Sequence, residues 1–203
     1  DVIATRVAHL TAYGSVRMVK RYTKVVDAIG DADLRLAVAK GYHKALAYKD
    51  EYEVARLHLE TEARAAALFD GDLELVYHLA PPLLSGKTAD GRPKKRAFGA
   101  WMGRGFKLLA KFKALRGTPF DPFGYTSERR MERGLIKRYE RDLKEVVLKG
   151  DVTAERIALA ELPLQIRGFG PVKEANAKAA AQRRDELLAA IASPDAPFIE
   201  AAE

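Results

Sequence analysis

The sequence predicts a mainly α protein, a multi-helix, bundle-like domain with at most one small β-hairpin. Apolar residues recur at spacings of three and four along most of the 203 residues, which is the period of an amphipathic helix. Alternation with a period of two, typical of a strand, occurs in one short stretch from Leu73 to Leu79. We therefore expect six to eight helices, organised as a single domain over residues 1–192.

The first predicted element is one long helix over residues 2–29. Its apolar positions follow helical spacing from Ile3 to Ile29. Gly14 is a position where this helix can bend, and Gly30 is expected to end it.

Two further helices follow, and the sequence leaves open whether they are separate or one bent rod. The second begins at about Ala32, and its apolar face comprises Leu34, Val38, Tyr42 and Ala45. The third follows Asp50, whose side chain is expected to accept the Glu53 backbone N–H while Glu53 reaches back to form a capping box. The residues expected to face inward are Tyr52, Ala55, Leu59, Ala63 and Ala66.

A β-hairpin is predicted at about residues 72–80 and 93–98. Pro81-Pro82 ends its first strand because proline has no N–H to donate to a ladder. The polar, basic stretch "SGKTADGRPKKR" forms the long connection between the strands.

The next helix is predicted from about Ala100 to Gly117. One side is expected to face the core and carries Trp101, Leu108, Leu109, Phe112 and Leu115. The other side is expected to carry three cations that lie within about 60° of one another, namely Arg104, Lys107 and Lys111.

An aromatic turn, Asp121 to Tyr125, separates that helix from one predicted to run to Gly150 with Thr126 or Ser127 as its cap. The buried stripe of this long helix is expected to be Met131, Leu135, Tyr139, Leu143 and Val146. Its many arginines alternate with acids at i,i+4 spacing, in the pairs Arg138–Asp142, Glu140–Lys144 and Arg141–Glu145. This pattern indicates a salt-bridged helix surface more than an anion cradle.

The chain is predicted to close with a short helix from Thr153 to near Pro163 and a last helix starting at Pro171. Gly168-Phe169-Gly170 between them resembles a fragment of a phosphate loop. The preferred interpretation is a tight connector whose glycines permit positive φ and whose phenylalanine plugs the core. Arg167 is positioned to hold an anion near the following helix N-terminus. Residues 193–203 are expected to be a flexible tail.

Several classes of chemistry are excluded within this chain. It has no cysteine, which rules out disulfides, thiolate zinc sites and cysteine-ligated iron–sulfur clusters and is consistent with a cytoplasmic location. The histidines, His9, His43, His58 and His78, form no metal-binding pair of local spacing. No Walker loop, nucleophile elbow or distinctive carboxylate pair is present, so no catalytic or metal-ligating residue is assigned. No apolar run is long enough to span a membrane.

The positive charge is concentrated in one segment. The net charge is +7, yet Ser85 to Gly117 contains ten Lys or Arg and one Asp, a net of +9, so the rest of the chain sums to −2. Such a segment attracts nucleic-acid phosphate, an anionic cofactor or an acidic protein. No RNP, zinc-finger or GXXG signature supports nucleic acid. The candidate anion- or partner-binding residues are Arg92, Lys94, Lys95, Arg96, Arg104, Lys107 and Lys111, with Arg167 in addition.

Five blocks of the sequence stand out, namely "LAYKDEYEVARL" (Leu46–Leu57), "HLAPPLL" (His78–Leu84), "GRPKKRAFGAWM" (Gly91–Met102), "GTPFDPFGYTSERRMERGLI" (Gly117–Ile136) and "QIRGFGPVKEAN" (Gln165–Asn176). In this order they resemble the C-terminal region of the single-chain bacterial indolepyruvate:ferredoxin oxidoreductases, in the 2-oxoacid:ferredoxin oxidoreductase superfamily. The blocks are scattered over nearly the whole chain, which starts at Asp1 and is expected to be a piece of a longer protein.

The resemblance implies an enzyme that decarboxylates aryl 2-oxoacids such as indolepyruvate, using thiamine diphosphate with Mg²⁺, iron–sulfur clusters and coenzyme A. This chain lacks the cysteines and the G-D-G…N motif that those cofactors need, so we expect a non-catalytic accessory domain. Its implied partners are the catalytic domains of the same chain, a second protomer in a homodimer, and ferredoxin, an acidic electron acceptor. The alternative is a free-standing basic helical module that binds nucleic acid or another polyanion.

Overall fold

The computed structural model describes residues 1–71, 74–79, 86 and 94–193. Within these residues the chain forms eight α-helices and one two-stranded antiparallel sheet. The prediction of a mainly α fold with one small hairpin is therefore confirmed. The predicted tail lies outside the described residues except for Ser193.

The chain divides into two compact units. The first combines residues 1–48 with residues 130–203, and the second is the continuous segment 49–129. The organisation of residues 1–192 as a single domain stays a prediction.

Six helices belong wholly or largely to the first unit. They are α1 (Val2–Tyr13), α2 (Val16–Val26), α3 (Ala32–Leu46), α6 (Ser127–Asp142, from Arg130 onward), α7 (Ala154–Glu161) and α8 (Pro171–Ala192). A π-helical turn, Leu143–Val147, continues α6, and a 3₁₀ turn, Leu162–Gln165, continues α7. The predicted starts of α3, α7 and α8 are confirmed.

The prediction of one long helix over residues 2–29 is wrong. The first helix ends before Gly14, and Ser15 caps a second helix by accepting a hydrogen bond from the Met18 backbone N–H. A serine that follows a glycine is a helix-start signal, and here it outweighs the continuous apolar period. The second helix ends at Val26, before Gly30.

Stacked and tilted tyrosine rings lie at the centre of the first unit. Tyr42 lies between Tyr22 and Tyr139, with ring centroids 5.9 and 5.8 Å away. The Tyr139 hydroxyl donates to the Ala160 carbonyl at 2.8 Å and so ties α6 to α7. Gly41 of α3 faces the same carbonyl, and a Cβ on Gly41 would lie 1.9 Å from that oxygen. The backbones of α3 and α7 therefore pack too closely for any side chain at residue 41.

Three acids of α6, Glu132, Glu140 and Asp142, pair with other helices instead of with i,i+4 neighbours. Asp142 accepts two hydrogen bonds of 2.6 Å from the Arg184 guanidinium of α8, and Glu140 accepts from Arg21 and from the Tyr42 hydroxyl. The π-helical turn changes the phase of the helix after Asp142, so the predicted pairs that cross it lose their alignment. The predicted salt-bridged helix surface is thus corrected to a set of ion pairs between helices.

Buried charge accompanies the start of α8. Lys173 bonds to Glu132 of α6, whose side chain is almost fully buried.

The connector before α8 is tight, as predicted, because Gly168 and Gly170 adopt φ of 91° and 54°. Phe169, however, is 62% exposed, so the prediction that it plugs the core is wrong.

The second unit contains α4 (Glu51–Leu68), the hairpin strands β1 (Tyr77–Leu79) and β2 (Arg96–Phe98), α5 (Met102–Lys111) and a 3₁₀ turn (Phe112–Leu115). The strands pair in the register Tyr77 with Phe98, His78 with Ala97 and Leu79 with Arg96. The observed strands are shorter than the predicted ones. Residues 72–73, 80–85 and 87–93 lie outside the described residues, and they include part of both predicted strands and most of the predicted basic loop.

A small aromatic core holds α4, the hairpin and α5 together. Tyr77 of β1 and Phe106 of α5 are buried with Ala55 of α4, and His58 stacks on Phe106 at 4.7 Å. The predicted inward faces are therefore partly wrong. Ala63 and Ala66 of α4 are exposed, as are Trp101, Leu108 and Phe112. The buried face of α5 instead follows Met102, Phe106 and Leu109, because these residues meet Tyr77 and Ala55.

A buried polar network links the start of α4 to Arg116 and to the aromatic turn of the second unit. Asp50 accepts the Glu53 backbone N–H at 2.9 Å, as predicted, and separates α4 from α3. The same carboxylate is held by two guanidinium nitrogens of Arg116. The Tyr52 hydroxyl donates to Asp121 at 3.1 Å, and Asp121 also accepts the Gly117 N–H at 2.9 Å. The aromatic turn is thus fixed by its aspartate, and Thr126 caps α6 as predicted.

Candidate functional site

The candidate site is a basic surface on the second unit. We use this name for six cations of the strand–helix segment, namely Lys94, Lys95, Arg96, Arg104, Lys107 and Lys111. All six are exposed. Arg92, which was predicted with them, lies outside the described residues. Arg167 belongs to the first unit, where it is exposed and donates to the Leu164 carbonyl at 2.9 Å.

The hairpin and α5 hold the basic surface in place. Arg96 lies on β2 in register with Leu79, and Phe98 on the same strand packs against the core that buries Phe106 of α5. All three cations of α5 are exposed: Arg104 and Lys111 lie about 140–160° around the axis from Phe106, and Lys107 lies about 100° from it. Two rigid elements that share one core therefore carry most of these charges.

The charges of the basic surface are not used within the described part of the protein. No carboxylate oxygen among the described residues lies within 4.0 Å of any of the six side chains. Arg116, in the same basic segment of sequence, is different because it is buried against Asp50. The segment thus separates into one structural arginine and a group of exposed cations available to an anionic partner.

An exposed apolar stripe lies beside these cations, which the sequence did not predict. Trp101, Leu108 and Phe112 lie within about 40° of one another around the helix axis, at about 100° per residue. Arg104 and Lys111 follow on one side of the stripe, about 40–100° away from its members. If Met102, Phe106 and Leu109 had been recognised as the buried face of α5, the sequence would have predicted that the three residues of the stripe are exposed. We call these three residues the apolar stripe.

An open groove on the same unit has a volume of about 600 Å³. Its walls are apolar and come from Leu59, Ala63 and Ala66 of α4 and from Leu75, with Glu62 and Lys107 as charged lining residues. These residues do not form an arrangement of nucleophile, base and anion-stabilising donor, so no reaction is assigned to the groove.

The four histidines lie in different environments. His43 Nε2 lies 3.0 Å from His9 Nδ1, and both rings are half-buried in the first unit. Burial lowers the pKa of His58, which packs on Phe106. His78 is exposed on the outer face of β1. Among the residues that the structure describes, no group of three or more His, Asp or Glu is placed to hold a metal ion.

Acidification from about pH 6.5 to about pH 4 is expected to destabilise the first unit. Burial, together with the neighbouring His9, Arg6 and Lys44, lowers the pKa of His43 from 6.5 to about 4. In that window the unfolded chain binds a proton at this ring that the folded chain does not, so stability is lost as the pH falls. Because the ring is only half-buried, solvent screening limits the loss to the order of 1 kcal/mol.

Urea unfolding followed by circular dichroism at several pH values checks this expectation. The variant His43→Gln should lose less stability than the parent protein over the same interval, because glutamine cannot take up the proton. Equal losses in the two proteins would show that His43 does not contribute.

No helix in the described ranges combines the length and the apolar character needed to cross a membrane.

The fold and the site together define a mainly α protein whose distinctive surface is basic, exposed and bordered by apolar side chains. The chain belongs to a family of unknown function, DUF6537, which matches residues 1–186. No curated protein and no solved structure matches the chain.

Proposed function

We propose that this chain is a non-catalytic accessory domain of an enzyme that oxidatively decarboxylates aryl 2-oxoacids, such as indolepyruvate, to acyl-CoA. The basic surface would receive ferredoxin, the acidic protein that accepts the electrons. The observation that supports this role most directly is the set of six exposed cations with no carboxylate partner among the described residues. Such a field raises the rate of encounter with an acidic protein.

The choice of reaction in this proposal rests on the five sequence blocks that resemble indolepyruvate:ferredoxin oxidoreductases. On this proposal, thiamine diphosphate with Mg²⁺, the iron–sulfur clusters and the coenzyme A site belong to other domains of a longer, cytoplasmic, homodimeric enzyme. The absence of cysteine from all 203 residues requires that any cysteine-ligated cluster be elsewhere.

The spread of the cations favours a protein partner over coenzyme A. A phosphate-bearing small molecule is usually held in a concave site by a few convergent groups. Here the cations are exposed along the segment that leads into β2, on β2 itself and along α5. An extended, exposed surface suits steering of a macromolecule.

Reversing three charges tests the proposal. In the protein that carries this chain, the variant Lys94→Glu, Lys95→Glu, Arg96→Glu is expected to raise the KM for ferredoxin by about tenfold at low salt while kcat changes little. The difference should shrink as salt is added, since screening weakens exposed charges. The measurement is the rate of ferredoxin reduction with indolepyruvate and coenzyme A over a range of ionic strength.

A matched control reverses three exposed cations of α2, in the variant Arg17→Glu, Lys20→Glu, Lys24→Glu. This control changes the net charge equally but leaves the basic surface intact, so its KM should remain near that of the parent. Unchanged ferredoxin kinetics in the first variant would contradict the role of the basic surface. An altered KM for coenzyme A alone would assign the surface to that cofactor, and tight, salt-dependent binding of oligo-dT would favour the nucleic-acid alternative.

A further inference from the structure

We propose that the apolar stripe is the contact that holds the partner after the basic surface has attracted it. The occupant is an acidic protein that presents an apolar patch within its negative surface. This inference rests on the proposed function, and it identifies which side chains determine how long the complex lasts.

The stripe is unusual for its exposure and for the size of its side chains. Trp101 and Leu108 are each 58% exposed and Phe112 is 47% exposed, although Phe106 on the same helix is buried. Trp101 is the single tryptophan of the chain. Scattered exposed apolar residues are common on proteins, but a contiguous apolar group bordered by polar residues marks an interaction surface.

Trp101 and Phe112 flank α5 at its two ends, and helical geometry places their side chains and that of Leu108 on roughly one side. Residues 101, 108 and 112 lie within about 40° around the axis and span about 16 Å along it, at 1.5 Å per residue. The core supports this line, because Met102, Phe106 and Leu109 on the adjacent face of α5, about 60–160° around the axis, pack into it. The stripe is therefore prepared for contact without any rearrangement of the helix.

The neighbouring charges determine the sign of the partner. Arg104 and Lys111 lie along one side of the stripe, and no acidic residue occurs between Gly91 and Gly117. An apolar centre with charged residues around it is the usual composition of a protein–protein interface, in which Trp and Arg are enriched among the residues that matter most. Charge complementarity therefore requires an acidic partner.

The middle residue of the stripe distinguishes a protein from a single-stranded nucleic acid. Bases stack on aromatic faces, and Leu108, between Trp101 and Phe112, has no such face. An aliphatic residue between two aromatic ones instead fits an apolar pocket or ridge on a protein. The two kinds of residue should also act on different rate constants, because exposed charges mainly set association and desolvated apolar contacts mainly set dissociation.

The experiment measures both rate constants by surface plasmon resonance, with the protein that carries this chain immobilised and ferredoxin from the same organism as the probe. The variant Trp101→Ala, Leu108→Ala is expected to dissociate about tenfold faster, with an association rate within about twofold of the parent. The control Leu68→Ala, Phe69→Ala removes apolar side chains of similar exposure elsewhere on the unit and should leave both rates unchanged. Circular dichroism confirms that all variants are folded.

Each outcome has a distinct meaning. A dissociation rate for Trp101→Ala, Leu108→Ala that matches the control overturns this inference, and it leaves the proposed function standing if the charge-reversal variant still associates slowly. Normal association of the charge-reversal variant overturns the proposed function itself. Tighter binding of oligo-dT, or of vesicles containing phosphatidylglycerol, than of ferredoxin at the same salt would overturn the choice of an acidic protein as occupant.

Discussion

Replacing Arg116 with methionine is expected to lower the free energy of unfolding of residues 49–129 by about 3–5 kcal/mol. The substitution keeps most of the aliphatic volume but leaves the Asp50 carboxylate buried without its cation. Asp50 is only 3% exposed, and two guanidinium nitrogens of Arg116 bond to its two oxygens. Removing one partner of a buried ion pair costs far more than the net contribution of the pair, because the remaining charge stays desolvated.

The loss should reach beyond the pair itself. Asp50 also caps α4 through the Glu53 N–H, and the Arg116 guanidinium lies 5.7 Å from the centre of the Tyr52 ring. Tyr52 in turn bonds to Asp121 in the aromatic turn. Groups joined in one network give coupled effects, so the double variant Arg116→Met, Asp50→Asn should be less destabilised than the sum of the single variants.

Urea unfolding followed by Trp101 fluorescence checks this expectation locally, because the single tryptophan lies in the same unit. Lys111→Met is the matched control: it removes an exposed cation nearby and should change stability by less than about 0.5 kcal/mol. A similar small effect for Arg116→Met would refute the structural role assigned to this arginine.

Replacing Gly41 with alanine is expected to destabilise the first unit by at least about 3 kcal/mol. The added methyl group would lie 1.9 Å from the Ala160 carbonyl oxygen and 2.7 Å from the Tyr139 hydroxyl, which are themselves hydrogen-bonded to each other. Both obstacles are parts of the packed core, so α3 would have to move away from α7. The substitution would separate the helices and weaken a buried hydrogen bond at once.

The variant Gly134→Ala makes the same chemical change as Gly41→Ala but is expected to raise the stability of the first unit. Gly134 lies inside α6, and no atom lies within 4 Å of a Cβ added there. Alanine at this exposed helical position should stabilise the unit by about 0.5–1 kcal/mol. Hydrogen–deuterium exchange of peptides from α3 and α7 measures both variants. Unchanged protection in Gly41→Ala would show that the two helices do not need glycine at residue 41.

The fold class was predictable because helical periodicity extends over most of the chain, whereas helix boundaries depended on single side chains. The Asp50, Thr126 and Thr153 caps were found from sequence, and the Ser15 start was missed because the apolar period continues across it. The phase of α5 was wrong because its partners, Ala55 and Tyr77, come from distant parts of the sequence. No spacing rule within one helix contains that information.

The exposure of Lys94, Lys95 and Arg96 followed from the cost of burying lysine and arginine. The burial of Asp121 and Glu132 was not predicted, because the residues that bond to them are remote in sequence. Tyr52 and Asp121 belong to different blocks of the family resemblance, and so do Glu132 and Lys173. These residues of the family resemblance therefore serve as internal connections, whereas the exposed cations of the basic surface have no carboxylate partner among the described residues.

The division of the chain also determines the order in which it can fold during synthesis. Residues 49–129 form an uninterrupted segment that can complete its own hydrogen bonds as soon as it has left the ribosome. The helices α1, α2 and α3 emerge earlier. However, Gly41 of α3 packs against Ala160 of α7, and the Tyr22–Tyr42 pair is completed by Tyr139 of α6, so these contacts form only after α6 and α7 have been synthesised. The amino-terminal helices thus carry exposed apolar faces until α6, α7 and α8 have been made. Within these 203 residues, the helices that are synthesised first are therefore the last to become stable.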